Sequence, residues 1–286
     1  MWFLETFDRL FFVPQNIEPL VIFRFAFGVV VALDFMRISI YAEHSFGERG
    51  FLPKGSVNGT KRFELFHFIC DSPFLMKAYV LSIAAAGLGL AFGIMHLFCA
   101  FWVFLGFVSV HGRNPYSHHS GRKLALLWSF LLMFTTLNQY GGIWKADFLV
   151  PSRTDWALQL MRVQLCIVYF FAVLHKSQHK SWFDGSMVYK VLAGTSCRRY
   201  SVHMPSIATY RVVSSVLTWG TVGCQLVAPC LLWSPQTFLL GAAMLWSLHI
   251  SLQVFLKISS FQFYLLIGPL LFLPTEYIEK IFSFSF

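Results

Sequence analysis

Arg162, Tyr169 and Lys176 stand seven residues apart in a stretch that is otherwise apolar, and His175 and His179 close it. On a helix of 3.6 residues per turn that spacing drifts only about 20° per step, so the three polar side chains form one stripe. A guanidinium, a phenol, an amine and imidazoles so arranged can bind anions and move protons. Lys176 has two readings. It snorkels at a membrane edge, or burial near Phe170, Phe171 and Leu174 keeps its amine neutral and able to accept a proton. The i, i+4 pair His175 and His179 has the spacing of metal ligands on one helix face. No acid lies between them and Lys176 and Lys180 flank them, so no metal is expected.

Other polar groups interrupt apolar runs. His249 and Gln253 share a helix face, with Ser251 aside, and act either as interhelical hydrogen-bond donors and acceptors or as part of a site. Gln225 has no local partner and is expected to point inward. Asp34 and Arg37, three apart, are expected to pair on their own helix, easing a cost of about 3 kcal/mol per intramembrane charge. Arg24 lies about 15 Å from Asp34 along the axis and needs a partner elsewhere, structural or an anion. The short basic loop Arg113–Lys123, with Asn114, His118 and His119, can hold an anionic group or lipid headgroups.

These residues need a membrane scaffold to position them. The 286 residues are 57% hydrophobic and 12% charged, with a mean hydropathy of +0.63, far from the soluble average of about 25% charged. The net charge of +9 sits in short loops, which excludes a soluble nucleic-acid-binding domain. Eight apolar runs have or approach bilayer-spanning length: 17–41, 74–94, 96–112, 122–141, 156–176, 207–233, 237–256 and 258–273, the last short and broken by Gly268-Pro269. The expected fold is an all-α polytopic membrane bundle of about eight transmembrane helices in one domain, 1–286. Terminal helices are expected at the interface, the N-terminal one in place of a cleaved signal. No internal repeat argues for a transporter.

Counting crossings puts 42–73, 113–121, 177–206 and the turn near Lys257 on one side. That side carries most basic residues and every histidine except His96, and the positive-inside rule makes it cytoplasmic. The Gly- and Pro-rich segment 46–55 reads as a structured loop, either a connector or a lid. Cys70 and Cys197 fall in loops on that side and would be able to pair only in an oxidising compartment.

Taken in order, several stretches resemble the membrane domain of vitamin K-dependent gamma-carboxylases and their bacterial relatives, the HTTM (horizontally transferred transmembrane) family. They are Phe23-Arg24 through Gly28, Gly50-Phe-Leu-Pro53, Asn114-Pro115 through His118, the central Arg162…Tyr169…Lys176…Trp182-x-x-Gly185, and His249 with Phe261. The resemblance implies a lysine base, Lys176, that deprotonates a reduced naphthoquinone; a stronger base then formed removes a glutamate proton and the carbanion takes up carbon dioxide. It makes His249 a second catalytic residue, with Arg24, Asn114, His118, Arg162, Tyr169, His175, Trp182 and Gln253 lining or orienting the site. It also implies a bacterial inner-membrane location and a site on the lumenal side, against the charge count.

The sequence departs from those carboxylases at three places. Their large extramembrane domain is not expected within these 286 residues, Gln225 stands where relatives often carry an acid, and Gly121-Arg122-Lys123 replaces an acidic position. Propeptide-directed carboxylation is therefore not expected. The expected partners are the lipid bilayer and a peptide or lipid-phase substrate, without nucleic acid. The alternative is a non-catalytic membrane component of a peptide maturation or export system.

Overall fold

Length and composition of the apolar runs set the helices. A computed structural model describes residues 11, 16–50, 66–69, 71–114, 119–139, 155–194, 197–199, 207–258 and 260–283. Among these, six helices are long and apolar enough to cross a bilayer. They are α1 (Glu18–Ile40), α4 (Pro73–Ala91), α5 (His96–Arg113), α7 (Trp156–Lys176), α10 (Ile207–Leu231) and α11 (Phe238–Phe255). Shorter helices are α2 (Ala42–Phe46), α3 (Phe66–Ile69), α6 (Ser120–Leu132), α8 (Lys180–Phe183), α9 (Met187–Ala193), α12 (Phe261–Ile267) and α13 (Thr275–Ser283). No strand forms among the described residues; Arg198 and Leu256 make an isolated bridge. The chain is an all-α membrane bundle. Its outward surface agrees: Leu33, Phe171 and Val216 are 60%, 58% and 66% exposed, apolar surface that lipid rather than water covers.

The fourth and eighth expected spans are shorter than the apolar runs that carry them. α6 stops at Leu132 because the ladder is diverted. The Leu132 carbonyl faces His96 Nε2 and accepts from the Thr135 hydroxyl, both at 2.9 Å, while the Thr136 N–H that would have bonded it goes to Asp155 Oδ2 at 3.0 Å. α12 ends at Ile267 and passes into a 3-10 turn, Gly268–Phe272, because Pro269 has no N–H to continue an α-helix.

The chain groups into two compact units, residues 1–161 and 162–286, the division falling inside α7. In the first, α1 crosses α4 at a glycine contact: a Cβ on Gly28 would strike the Gly87 carbonyl and Ala91 backbone. Small residues allow such close crossings in membranes. Asp34 on α1 takes both Arg122 Nε at 3.0 Å and Nη2 at 2.9 Å from α6. The expected local pair with Arg37 is thus replaced, since a fork from a facing helix satisfies both carboxylate oxygens while Arg37 reaches the surface. Arg113 and Asn114 cap α2, donating to the Phe46 and Ser45 carbonyls at 2.9 and 3.4 Å. His119 Nδ1 accepts from the Arg122 N–H at 3.2 Å and caps α6. Burial, then the Arg122 charge, lowers its pKa to about 4.

In the second unit α10 and α11 pack closely at Gly241, where a Cβ would lie 2.9 Å from the Ala228 carbonyl. α11 meets α12 through Trp246 Nε1, which donates to the Leu266 carbonyl at 2.8 Å. The segment after α7 is tied to α10. Val188 and Tyr189 backbone N–H groups donate to Thr218 and Ser214, and those hydroxyls donate to the Gly185 carbonyl at 3.1 and 2.8 Å.

Candidate functional site

The expected stripe on α7 is built, and each member does something different. Arg162 Nε donates to the Leu271 carbonyl at 2.8 Å and its guanidinium lies 5.5 Å from the Phe272 ring centroid. Leu271 belongs to the 3-10 turn that ends at Phe272, where carbonyls lose their helical partners, so Arg162 closes that end. Two turns on, the buried Tyr169 hydroxyl lies 2.7 Å from His249 Nε2. The other ring nitrogen, Nδ1, bonds Gln262 Oε1. An amide oxygen only accepts, so Nδ1 carries the hydrogen and Nε2 accepts the hydrogen bond that the tyrosine hydroxyl donates. Both nitrogens of His249 are therefore occupied, and its ring is 1% exposed.

Lys176 lies at the end of the stripe, half-buried. Its amine donates to the Ala172 carbonyl at 3.4 Å and sits 5.1 Å from the Trp182 ring centroid. Among the described residues it makes no ion pair. Its charge is near enough to act on His249. The aromatic cover differs from the expected one: Phe170, Phe171 and Leu174 are 57%, 58% and 44% exposed and face outward, because they lie off the stripe that α7 turns inward. Trp182 serves instead. It is held there by α8 and by Gly185, whose φ of +74° and contact with Ser215 leave no room for a side chain. His175 and His179 are exposed, their rings 5.3 Å apart edge to face. Asp184, fully exposed, is held below the usual carboxylate value by the Ser186 hydroxyl and then its backbone N–H.

Gln253, one turn beyond His249, keeps a buried Oε1 without a partner, and so does Gln262 with Nε2. The Lys257 N–H donates to the Cys197 carbonyl at 2.7 Å, so the segment after α9 meets the C-terminal end of α11. Lys176 and Trp182 meet at the C-terminal end of α7, and Gln253 stands near the C-terminal end of α11. A model of the HTTM domain matches residues 12–277. The chain belongs to the HTTM domain family. It is a membrane protein related to the carboxylase membrane domain. No curated protein and no solved structure matches it.

The remaining residues expected at the site lie in the first unit of this HTTM chain or outside the described residues. Arg24, in the first third of α1, is buried and makes no hydrogen bond or ion pair among the described residues. Asn114 is bonded to Ser45, beyond the far end of α1, more than about 20 Å from Arg24 by helical rise. These two therefore do not share a site within that unit. His118, Cys70, Pro53 and the rest of the glycine-rich loop beyond Gly50, and the N-terminal interfacial stretch other than Phe11 and Asn16, lie outside the described residues.

Gln262 is the site residue that sequence reasoning passed over. The signal was present: it is the only amide in the last apolar run, next to Phe261. Its partner lies in another helix, a relation that periodicity does not express.

Proposed function

We propose that this HTTM protein is a membrane enzyme in which Lys176 acts as a general base on a peptide or lipid-phase substrate, with carboxylase-like chemistry. The observation that carries the reading is the state of the amine. It is half-buried and, among the described residues, has no carboxylate partner; it donates to one peptide carbonyl and lies against the Trp182 face. A lysine serving only structure at such a place would pair with an acid or reach solvent. A base needs a lone pair aimed at a proton donor, and an unpaired amine beside an aromatic wall meets that need.

Tyr169, His249 and Gln262 act by positioning. Their chain of hydrogen bonds fixes the imidazole tautomer and holds the stripe of α7 in register with α11 and α12. A reduced naphthoquinone is the proposed group at the same end of the unit. Trp182 offers a planar stacking face and the unpartnered Gln253 Oε1 an acceptor for a hydroxyl. Such a group supplies an acidic hydroxyl and a redox-active ring when bound. This chain's part is to accept the hydroxyl proton at Lys176 Nζ and to orient the ring.

The test uses membranes carrying the full-length protein, supplied with labelled bicarbonate, reduced naphthoquinone and oxygen. Label is expected to enter protein or lipid with wild type and to fall at least about a hundredfold with Lys176→Ala, at unchanged thermal stability. Equal incorporation by both proteins, or none by either, would reject the reading. The second outcome would favour the non-catalytic membrane component.

A further inference from the structure

The first unit encloses a cation that no described residue balances. Arg24 is 1% exposed, its Nε is sealed from solvent without a partner, and no hydrogen bond or ion pair is made by the rest of the guanidinium among the described residues. The other buried arginines of that unit are provided for, Arg122 by Asp34 and Arg113 by the Phe46 carbonyl. A buried charge left alone is among the costliest features a fold can carry, and intramembrane cations are found with a counter-charge or a pathway.

Two further buried polar atoms of this unit also lack a partner, one a lone pair and one a donor. His96, 5% exposed, lies near enough that the Arg24 charge acts on its ring. Its Nε2 is 2.9 Å from the Leu132 carbonyl, which only accepts, so Nε2 carries a hydrogen and is spent; Nδ1 is buried and unpartnered. Trp128 packs edge to face on Phe23, the residue before Arg24, with ring centroids 5.0 Å apart, and its Nε1–H is also buried without an acceptor. The three residues come from α1, α5 and α6.

We propose that Arg24 and His96 form a binding site for an oxyanion, a carboxylate or phosphate group, inside the first unit. The planar guanidinium presents a fork to two oxygens of such a group. The anion's charge offsets that of Arg24, which lets His96 Nδ1 take a proton and join. By helical rise Arg24 lies about 9 Å inside the start of α1, a depth that a lipid headgroup or a small free anion can reach. The site uses no residue of the Lys176 end and stands independently of the enzyme reading.

The experiment is thermal unfolding of the full-length protein in phosphatidylcholine nanodiscs. One arm titrates acetate or inorganic phosphate; the other incorporates oleate or phosphatidic acid. Wild type is expected to show a saturable rise in Tm, lost in Arg24→Met and shifted to at least about tenfold higher anion in Arg24→Lys, which keeps the charge without the fork. A response confined to the second arm assigns the anion to lipid; a response in the first assigns it to a free ion. If Arg24→Met does not accumulate, His96→Phe carries the test, with anion affinity weakened at least about tenfold. The proposal is overturned if wild type shows no saturable shift in either arm, if Arg24→Met unfolds at or above the wild-type temperature throughout, or if His96→Phe binds as tightly as wild type.

Discussion

Asp34 shows what a single buried charge demands of this chain. Its carboxylate is nearly inaccessible and spans two nitrogens of Arg122. Removing one partner strands the other, so Asp34→Asn is expected to destabilise by about 3–5 kcal/mol, read as a lowered Tm. Replacing both residues with leucine is expected to cost much less, and equal losses in the single and double variants would contradict the account. The pairing also marks what the sequence made legible. Asp34 and Arg37 stand three apart and look like partners; Arg122, 88 positions away from Asp34, does not. Local spacing is visible in a sequence, whereas a fork arriving from a facing helix is a property of packing. Gln262 beside His249 escaped notice for the same reason, while Tyr169 and Lys176 were found because their relation is periodicity on one helix.

Helix ends in this protein are set by side chains from elsewhere. Apolar run length placed six spans to within a few residues, since hydropathy alone decides where a helix can sit in lipid. The end of α6 was not visible, because Asp155, distant in sequence, claims the Thr136 N–H. The start of α6 depends on a neutral His119, which accepts through Nδ1. Its pKa is about 4 in the fold against 6.5 for the free group, so the unfolded chain binds more protons between those values. Stability is therefore full above about pH 6.5 and falls as pH drops toward 4. His119→Asn, which can still cap, is expected to flatten the Tm profile across that window; an unchanged profile would show that another group dominates it. Gly185 is the second terminus to test. At φ +74°, and with Ser215 in the way, Gly185→Ala is expected to cost at least about 1–2 kcal/mol and to loosen Trp182 from Lys176.

The membrane fold leaves the sidedness of the Lys176 end open to experiment. Charge counting over the loops makes that side cytoplasmic, against the lumenal site that the carboxylase resemblance implies. Cys197 is exposed in the segment that meets the end of α11 and reports on it. In a variant with Cys197 as its only thiol, an impermeant maleimide added to intact cells is expected to leave the protein unlabelled and to label it after permeabilisation. Labelling in intact cells would reverse the orientation. Either orientation leaves the proposal in place that an amine without a counter-charge among the described residues, walled by Trp182, serves to take a proton. The most direct measurement is solvent exchange. Membranes carrying the wild-type protein, incubated in D2O with reduced naphthoquinone and oxygen but without bicarbonate, so that the carbanion is quenched by solvent, are predicted to acquire deuterium at a carbon of a peptide or lipid acceptor. Lys176→Ala membranes, with the same Tm and protein level, are predicted to acquire none. Deuterium uptake by the Lys176→Ala protein at the wild-type rate would contradict the account.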